Sequence, residues 1–205
     1  MRLDSLGFLE KKRLEGKAAV LGIPLDLGKE QSGNAGAPDY LRDMGLIKTL
    51  VSLGVTVKDL RDIYCPSHRE AFAGDKKIKY LKGVARVAEK SAKQISEYLQ
   101  KGYKCIALGG DHSISIGTIA GAAAAFKKDL GVVWIDAHGD INTPETTPTG
   151  HLHGQSAAVA LGWGHPGLVD LYSKGPKVKK ENIFLIGLKD LDQPEIDTLR
   201  RHKLN

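Results

Sequence analysis

The chain has 205 residues, of which 41% are hydrophobic, 26% charged and 6% aromatic, with 24 Gly and 8 Pro. That mixture excludes a disordered or fibrous chain and describes one globular domain, or most of one, able to bury a sizeable core. Thirty Lys and Arg against 24 Asp and Glu leave a formal charge of +6, too small an excess to assign a nucleic-acid partner by itself.

The opening residues 1–17 carry Arg2, Asp4, Glu10, Lys11, Lys12, Arg13 and Glu15 where a signal peptide would carry an apolar stretch. No run approaches the roughly 18 apolar residues of a membrane span. The expectation is a cytoplasmic protein with no membrane partner. Residues 18–23, 55–60, 103–108, 131–135 and 182–187 are short apolar runs, most of them rich in β-branched or aromatic residues, and they predict buried parallel strands. Helical patterns lie between and after them, at 38–50, 78–100, 113–127, 154–161 and 194–202. Alternating strands and helices predict an α/β fold with a mostly parallel sheet and right-handed crossovers.

Most of the positive excess falls within residues 76–104, which carry Lys76, Lys77, Lys79, Lys82, Arg86, Lys90, Lys93, Lys101 and Lys104 against Glu89 and Glu97. Apolar residues recur there at three- and four-residue spacing, from Ile78 and Leu81 to Ile95 and Leu99. The cations therefore belong on the solvated face of an amphipathic helix. Neither a helix-turn-helix signature nor interleaved aromatics accompanies them, so no nucleic-acid partner is expected. Cys65 and Cys105, 40 positions apart, form neither a disulfide framework nor a CxxC clip and read as reduced, structural thiols.

Ligands of open α/β sheets bind at the carboxyl ends of the strands. The third run is followed by Gly109-Gly110-Asp111-His112-Ser113 and the fourth by Asp136-Ala137-His138-Gly139-Asp140. Two strand ends thus present three carboxylates and two imidazoles. If extended geometry persisted beyond the fourth strand, Asp136, His138 and Asp140 would point to one side. Carboxylate and imidazole without thiolate favour a hard or borderline divalent ion, and a carboxylate-rich set leans towards Mn²⁺. His112 would complete one site or help to build two. Such a metal pair suits hydrolysis of an unreactive carbon centre. The Gly109-Gly110 pair lacks a phosphate-cradle pattern, which argues against nucleotide binding.

These segments, together with Ile141-Asn142-Thr143-Pro144 and Gly150-His151-Leu152-His153-Gly154, resemble the ureohydrolase family in its bacterial arginase form. The likeness runs from Pro24-Leu25-Asp26-Leu27-Gly28 to Gly187-Leu188-Lys189-Asp190-Leu191-Asp192. It implies a three-layer α/β/α sandwich, a pair of Mn²⁺ ions, and hydrolysis of L-arginine to L-ornithine and urea. By the same likeness His112, Asp136, His138 and Asp140 are metal ligands, with Asp136 bridging and Asp140 also orienting a hydroxide. His153 matches a proton shuttle. Asn142, Thr147 and Thr149 match residues that hold the substrate α-carboxylate, His151 stands close to that carboxylate, and Asp192 and Glu195 match those around the α-amino group.

The chain departs from the family pattern in several places. Thr149 replaces a common Ser, His151 a common Asn and Lys189 a common Arg. The family pattern continues, beyond the position of Asn205, with an Asp-x-Asp strand that adds two metal ligands and then a glutamate for the guanidinium. The resemblance therefore implies that residues 1–205 form a single domain lacking the C-terminal third of the family fold. It also implies weak or no turnover by these residues alone, an exposed apolar edge around residues 183–186, and a homo-oligomer, trimer or hexamer, in the complete form. Two other readings stand beside arginase: a non-catalytic truncated relative, and a related hydrolase of agmatine, guanidinobutyrate or formimidoylglutamate.

Overall fold

A computed structural model describes residues 16–30, 33–127 and 129–204. Most of the charged opening segment, residues 1–15, lies outside them. Five strands form in the expected places: β1 (Lys17–Ile23), β2 (Thr56–Asp62), β3 (Lys104–Gly109), β4 (Val132–Ile135) and β5 (Ile183–Ile186). All pairings are parallel, but among the described residues the strands fall into two groups, β2-β1-β3 and β4-β5. Ala18 pairs with Lys104 and Ile23 with Gly109, so β1 and β3 end level and bring their following loops together. β3 and β4, whose ends carry the polar segments, are not hydrogen-bonded neighbours among the described residues.

The helices are α1 (Ala37–Asp43), α2 (Leu46–Ser52), α3 (Leu81–Gln100), α4 (Ile114–Ala125), α5 (Ser156–Ala160), α6 (Pro166–Val169) and α7 (Gln193–His202). The helix predicted over 38–50 is broken in two at Gly45, whose φ of +90° no right-handed helix accommodates. Arg42 of α1 ties this region to β2. Its guanidinium donates to both oxygens of Asp59 and, at 2.6 Å, to Asp62. The helix predicted over 154–161 begins as a 3-10 turn at His153–Gln155, and α6 is a short element that the sequence reading did not anticipate.

The amphipathic reading of residues 76–104 holds along α3. Val84, Val87, Ala88, Ala92 and Ile95 are buried, while Lys82, Arg86, Lys90 and Lys93 are exposed. α3 packs closely on α4 because the contact is lined by small residues. A Cβ on Gly121 would lie 2.5 Å from the Ala92 carbonyl oxygen. The main core joins β1 (Leu21, Ile23) and the following turn (Leu25, Leu27) to α3 and to Ile116 and Ala120 of α4. Each fully buried aliphatic side chain contributes on the order of 1.5–3 kcal/mol. A second core gathers Trp134 of β4, Ile183 of β5, Ile141, Val178 and the α5 residues Ala157 and Ala160.

β5 pairs with β4 along one side and ends that two-stranded sheet among the described residues, so residues 183–186 form the expected edge, and their apolar side chains extend into an exposed face. Val133, Ile135, Phe184 and Ile186 are exposed, and the register puts Val133 beside Phe184 and Ile135 beside Ile186. No described helix is long and apolar enough to cross a membrane.

Candidate metal and substrate site

The residues after β3 divide their work. Asp111, one of the three strand-end carboxylates, is buried and holds the chain in place. It accepts from the Gly28 N–H (2.7 Å), the Ser113 N–H (2.8 Å) and the Ser113 hydroxyl. Its own N–H donates to the Leu25 carbonyl. With Asp111 committed to the turn after β1 and to the start of α4, the next side chain, His112, reaches across to β4. Its ring stacks on Trp134, with centroids 4.3 Å apart and planes 23° from parallel. This stack joins β3 to β4, which are not paired as strands among the described residues.

β4 ends at Ile135, and extended geometry does not persist to Asp140, whose φ of +51° is left-handed. Strand alternation therefore does not place Asp140, and its position is set by the turn. Asp136 and Asp140 both turn to His112, whose Nδ1 lies 3.0 Å from Asp136 Oδ2 and 2.9 Å from Asp140 Oδ2. One donor atom from each of His112, Asp136 and Asp140 falls within 4.8 Å of the others. His138 is outside this group. Its Nδ1 is 3.0 Å from the other Asp136 oxygen, Oδ1, and its Nε2 is 3.5 Å from Asp190 Oδ2.

Asp140 Oδ2 is buried and has no hydrogen-bond donor despite the closeness of the His112 ring nitrogen. A buried carboxylate oxygen left without a donor is costly. A cation among the three donors would satisfy it, and two carboxylates with one imidazole suit a hard or borderline divalent ion. The electrostatics run the same way. Burial disfavours the charged form of His112, yet the carboxylates of Asp140 and Asp136 outweigh it and hold the imidazole above its ordinary pKa. Burial likewise opposes ionisation of Asp136, while the His138 N–H groups and the His112 charge hold its pKa low.

Beside the trio lies a cavity of about 220 Å³ lined by His138, Asp140, Asn142, Thr147, Pro148, Thr149, His151, His153, Gly154, Asp192 and Glu195. Every residue expected to meet substrate thus lines one space with two of the expected ligands. Asp192 caps α7 in a capping box: its Oδ1 accepts from the Glu195 N–H, and Glu195 accepts from the Asp192 N–H. The other Asp192 oxygen accepts from the Asn142 amide at 2.7 Å. Glu195 is buried, and burial foremost, with the like charges of Asp192 and Asp140 and against two backbone hydrogen bonds, raises its pKa. The hydroxyls of Thr147 and Thr149 accept from the N–H groups of Gly150 and His151, which shapes the loop.

Residues outside the motifs support that loop. Lys77 Nζ donates to the Thr147 carbonyl, Gln155 donates to the Lys77 carbonyl, and the Lys79 N–H donates to the Gly150 carbonyl. Lys79 Nζ also stands 3.5 Å from His151 Nε2. Burial and then this ammonium push the His151 pKa below its ordinary value. No spacing in the sequence pairs residues 77 and 79 with 147–155, or Asp190 with His138. Cys65 plays no part in this chemistry, for burial pushes its thiol up to about 12.

A profile of the arginase family matches residues 16–205. The chain belongs to the arginase family. It is 42% identical over 183 residues to an arginase of Bacillus caldovelox, covering 89% of this chain and 61% of that one. With an arginase of Bacillus subtilis it shares 44% identity over 177 residues, 86% of this chain and 59% of the relative. The crystal structure of arginase from Bacillus cereus superposes with a TM-score of 0.85 at 42% identity, covering 93% of this chain and 63% of that one. The architecture expected from the sequence, an α/β/α sandwich with a mostly parallel sheet, is that of the arginase family. The chain spans about three fifths of the length of these arginases.

Proposed function

We propose that this chain is the metal-binding and substrate-binding portion of an Mn²⁺-dependent arginase that hydrolyses L-arginine to L-ornithine and urea. The observation that carries the reading is the convergence of His112, Asp136 and Asp140 on one point, with Asp140 Oδ2 buried and lacking a donor, beside a cavity lined by the polar loop. A pair of divalent ions, when bound, supplies hydroxide at neutral pH by lowering the pKa of coordinated water. His112, Asp136, His138 and Asp140 are the residues of this chain that would hold the ions, and the Asp140 carboxylate would also orient the attacking water. His153 passes a proton to the departing amine, a task suited to an imidazole.

Substrate recognition falls to the loop and to the start of α7. Asn142, Thr147, Thr149 and His151 hold the α-carboxylate, and the acidic pair Asp192 and Glu195 holds the α-amino group. That division distinguishes arginine from agmatine, which lacks the carboxylate. The unit 1–205 is one domain of the arginase fold lacking its C-terminal third, and turnover and assembly into a trimer or hexamer belong to the longer chain.

The test is urea release from L-arginine by the product of the whole reading frame, with and without Mn²⁺. Agmatine, guanidinobutyrate and formimidoylglutamate serve as competitors. Arginine is expected to be preferred and metal to be required. Within that enzyme Thr149→Ala is expected to raise KM more than it lowers kcat, since a carboxylate contact acts equally in ground and transition states. A pure loss of kcat would remove Thr149 from that role. A second reading, metal binding without turnover, is favoured by the three-donor cluster among the described residues. Mn²⁺ binding without any urea release would select it.

A further inference from the structure

His138 stands apart from the His112, Asp136 and Asp140 trio, and its ring has a carboxylate on each side. Asp136 Oδ1 is 3.0 Å from Nδ1 and Asp190 Oδ2 is 3.5 Å from Nε2. The position of Asp190 is built by the main chain. The N–H groups of Lys189 and Asp190 both donate to the Ala137 carbonyl at 2.9 Å, and the Asp136 N–H donates to the Ile186 carbonyl at 3.1 Å. Three main-chain hydrogen bonds thus clamp the segment carrying Asp190 onto the segment carrying His138.

An imidazole binds a metal through one nitrogen that has lost its proton while the other keeps its own. A carboxylate that accepts the remaining N–H fixes the tautomer and the ring orientation and makes the ligating nitrogen more basic. We propose that Asp190 is a positioning residue for the metal centre: it accepts the Nε2 proton of His138 and thereby presents Nδ1, beside Asp136, to a divalent cation. This rests on the reading of the trio as a metal centre. In sequence Asp190 and Asp192 share the spacing of a ligand pair, and the geometry separates their tasks. Asp192 caps α7 and holds Asn142, whereas Asp190, 80% exposed at its side chain, is turned to His138.

The experiment is calorimetric titration of the protein with Mn²⁺ at low and high salt, for the wild type, Asp190→Asn, Asp190→Glu and the control Asp43→Asn. Asp190→Asn is expected to weaken Mn²⁺ binding about 10-fold or more, with the loss kept at high salt and largely recovered by Asp190→Glu. Nitrogen NMR of the Zn²⁺-loaded wild type is expected to place the His138 proton on Nε2. Because Asp190 is exposed, metal-free Asp190→Asn is expected to melt with the wild type. Wild-type affinity in Asp190→Asn would overturn the proposal. So would a loss that vanishes at high salt, since a bare surface charge is screened there and a hydrogen bond is not. A wild-type chain that binds no Mn²⁺ would instead contradict the metal-centre reading itself.

Discussion

The individual side chains of the trio are each held for a reason that can be tested. Asp140 brings a buried oxygen with no donor, so it has more to gain from a cation than the half-buried Asp136. Asp140→Ala is expected to abolish the rise in melting temperature that Mn²⁺ confers on the wild type, read by calorimetry in both metal states. A normal Mn²⁺-induced rise would remove Asp140 from the ligand set. The pH dependence has a definite sign. The His112 and His138 pKa values are raised from 6.5 in the metal-free fold, by carboxylates that outweigh burial. Their contribution to stability is fully present below about pH 6.5, the unfolded value, and is lost as pH rises through the higher folded values. The protons that leave are those that compete with metal. Melting curves between about pH 6 and 8 are therefore expected to show this stabilisation shrinking in metal-free protein while the Mn²⁺-induced shift grows. An Mn²⁺-induced shift that shrinks with rising pH would contradict the assignment.

Secondary-structure elements decide which of these residues can meet. The apolar runs and the three- and four-residue periodicity marked the strands and α3 because local composition dictates them. The one-sided alternation expected of the D-x-H-x-D segment does not reach Asp140, because it holds only while the chain stays extended. β4 stops at Ile135, and the left-handed Asp140 returns that carboxylate to His112 and leaves His138 facing Asp190. The stack of His112 on Trp134, the strap made by Lys77 and Lys79, and the placement of Asp190 are tertiary contacts between distant segments, with no local pattern to reveal them. The exposed face of Val133, Ile135, Phe184 and Ile186 follows from strand alternation across two paired strands. Replacing Ile135 and Ile186 by Thr is expected to reduce aggregation in light scattering while moving stability by no more than about 0.5 kcal/mol per site. A loss of several kcal/mol would show these side chains to be packed in solution.

At the scale of the whole molecule, β1 and β3 end level, α4 starts from the pinned Asp111, and the second core carries β4 to the His112 ring. The fold thereby delivers a His and two Asp side chains to one point and a polar loop to its flank. Family membership and the strand-end motifs were legible in the sequence because the motifs are contiguous. The departure of His138 from the trio was not, because it depends on the path of the chain after β4. The most direct test of the central claim is a crystal structure of the protein grown with Mn²⁺, with anomalous scattering used to locate the metal. An anomalous peak is expected among His112 Nδ1, Asp136 Oδ2 and Asp140 Oδ2, and is expected to be lost in Asp140→Ala. No peak there, or a peak held by His151 and His153 instead, would contradict it.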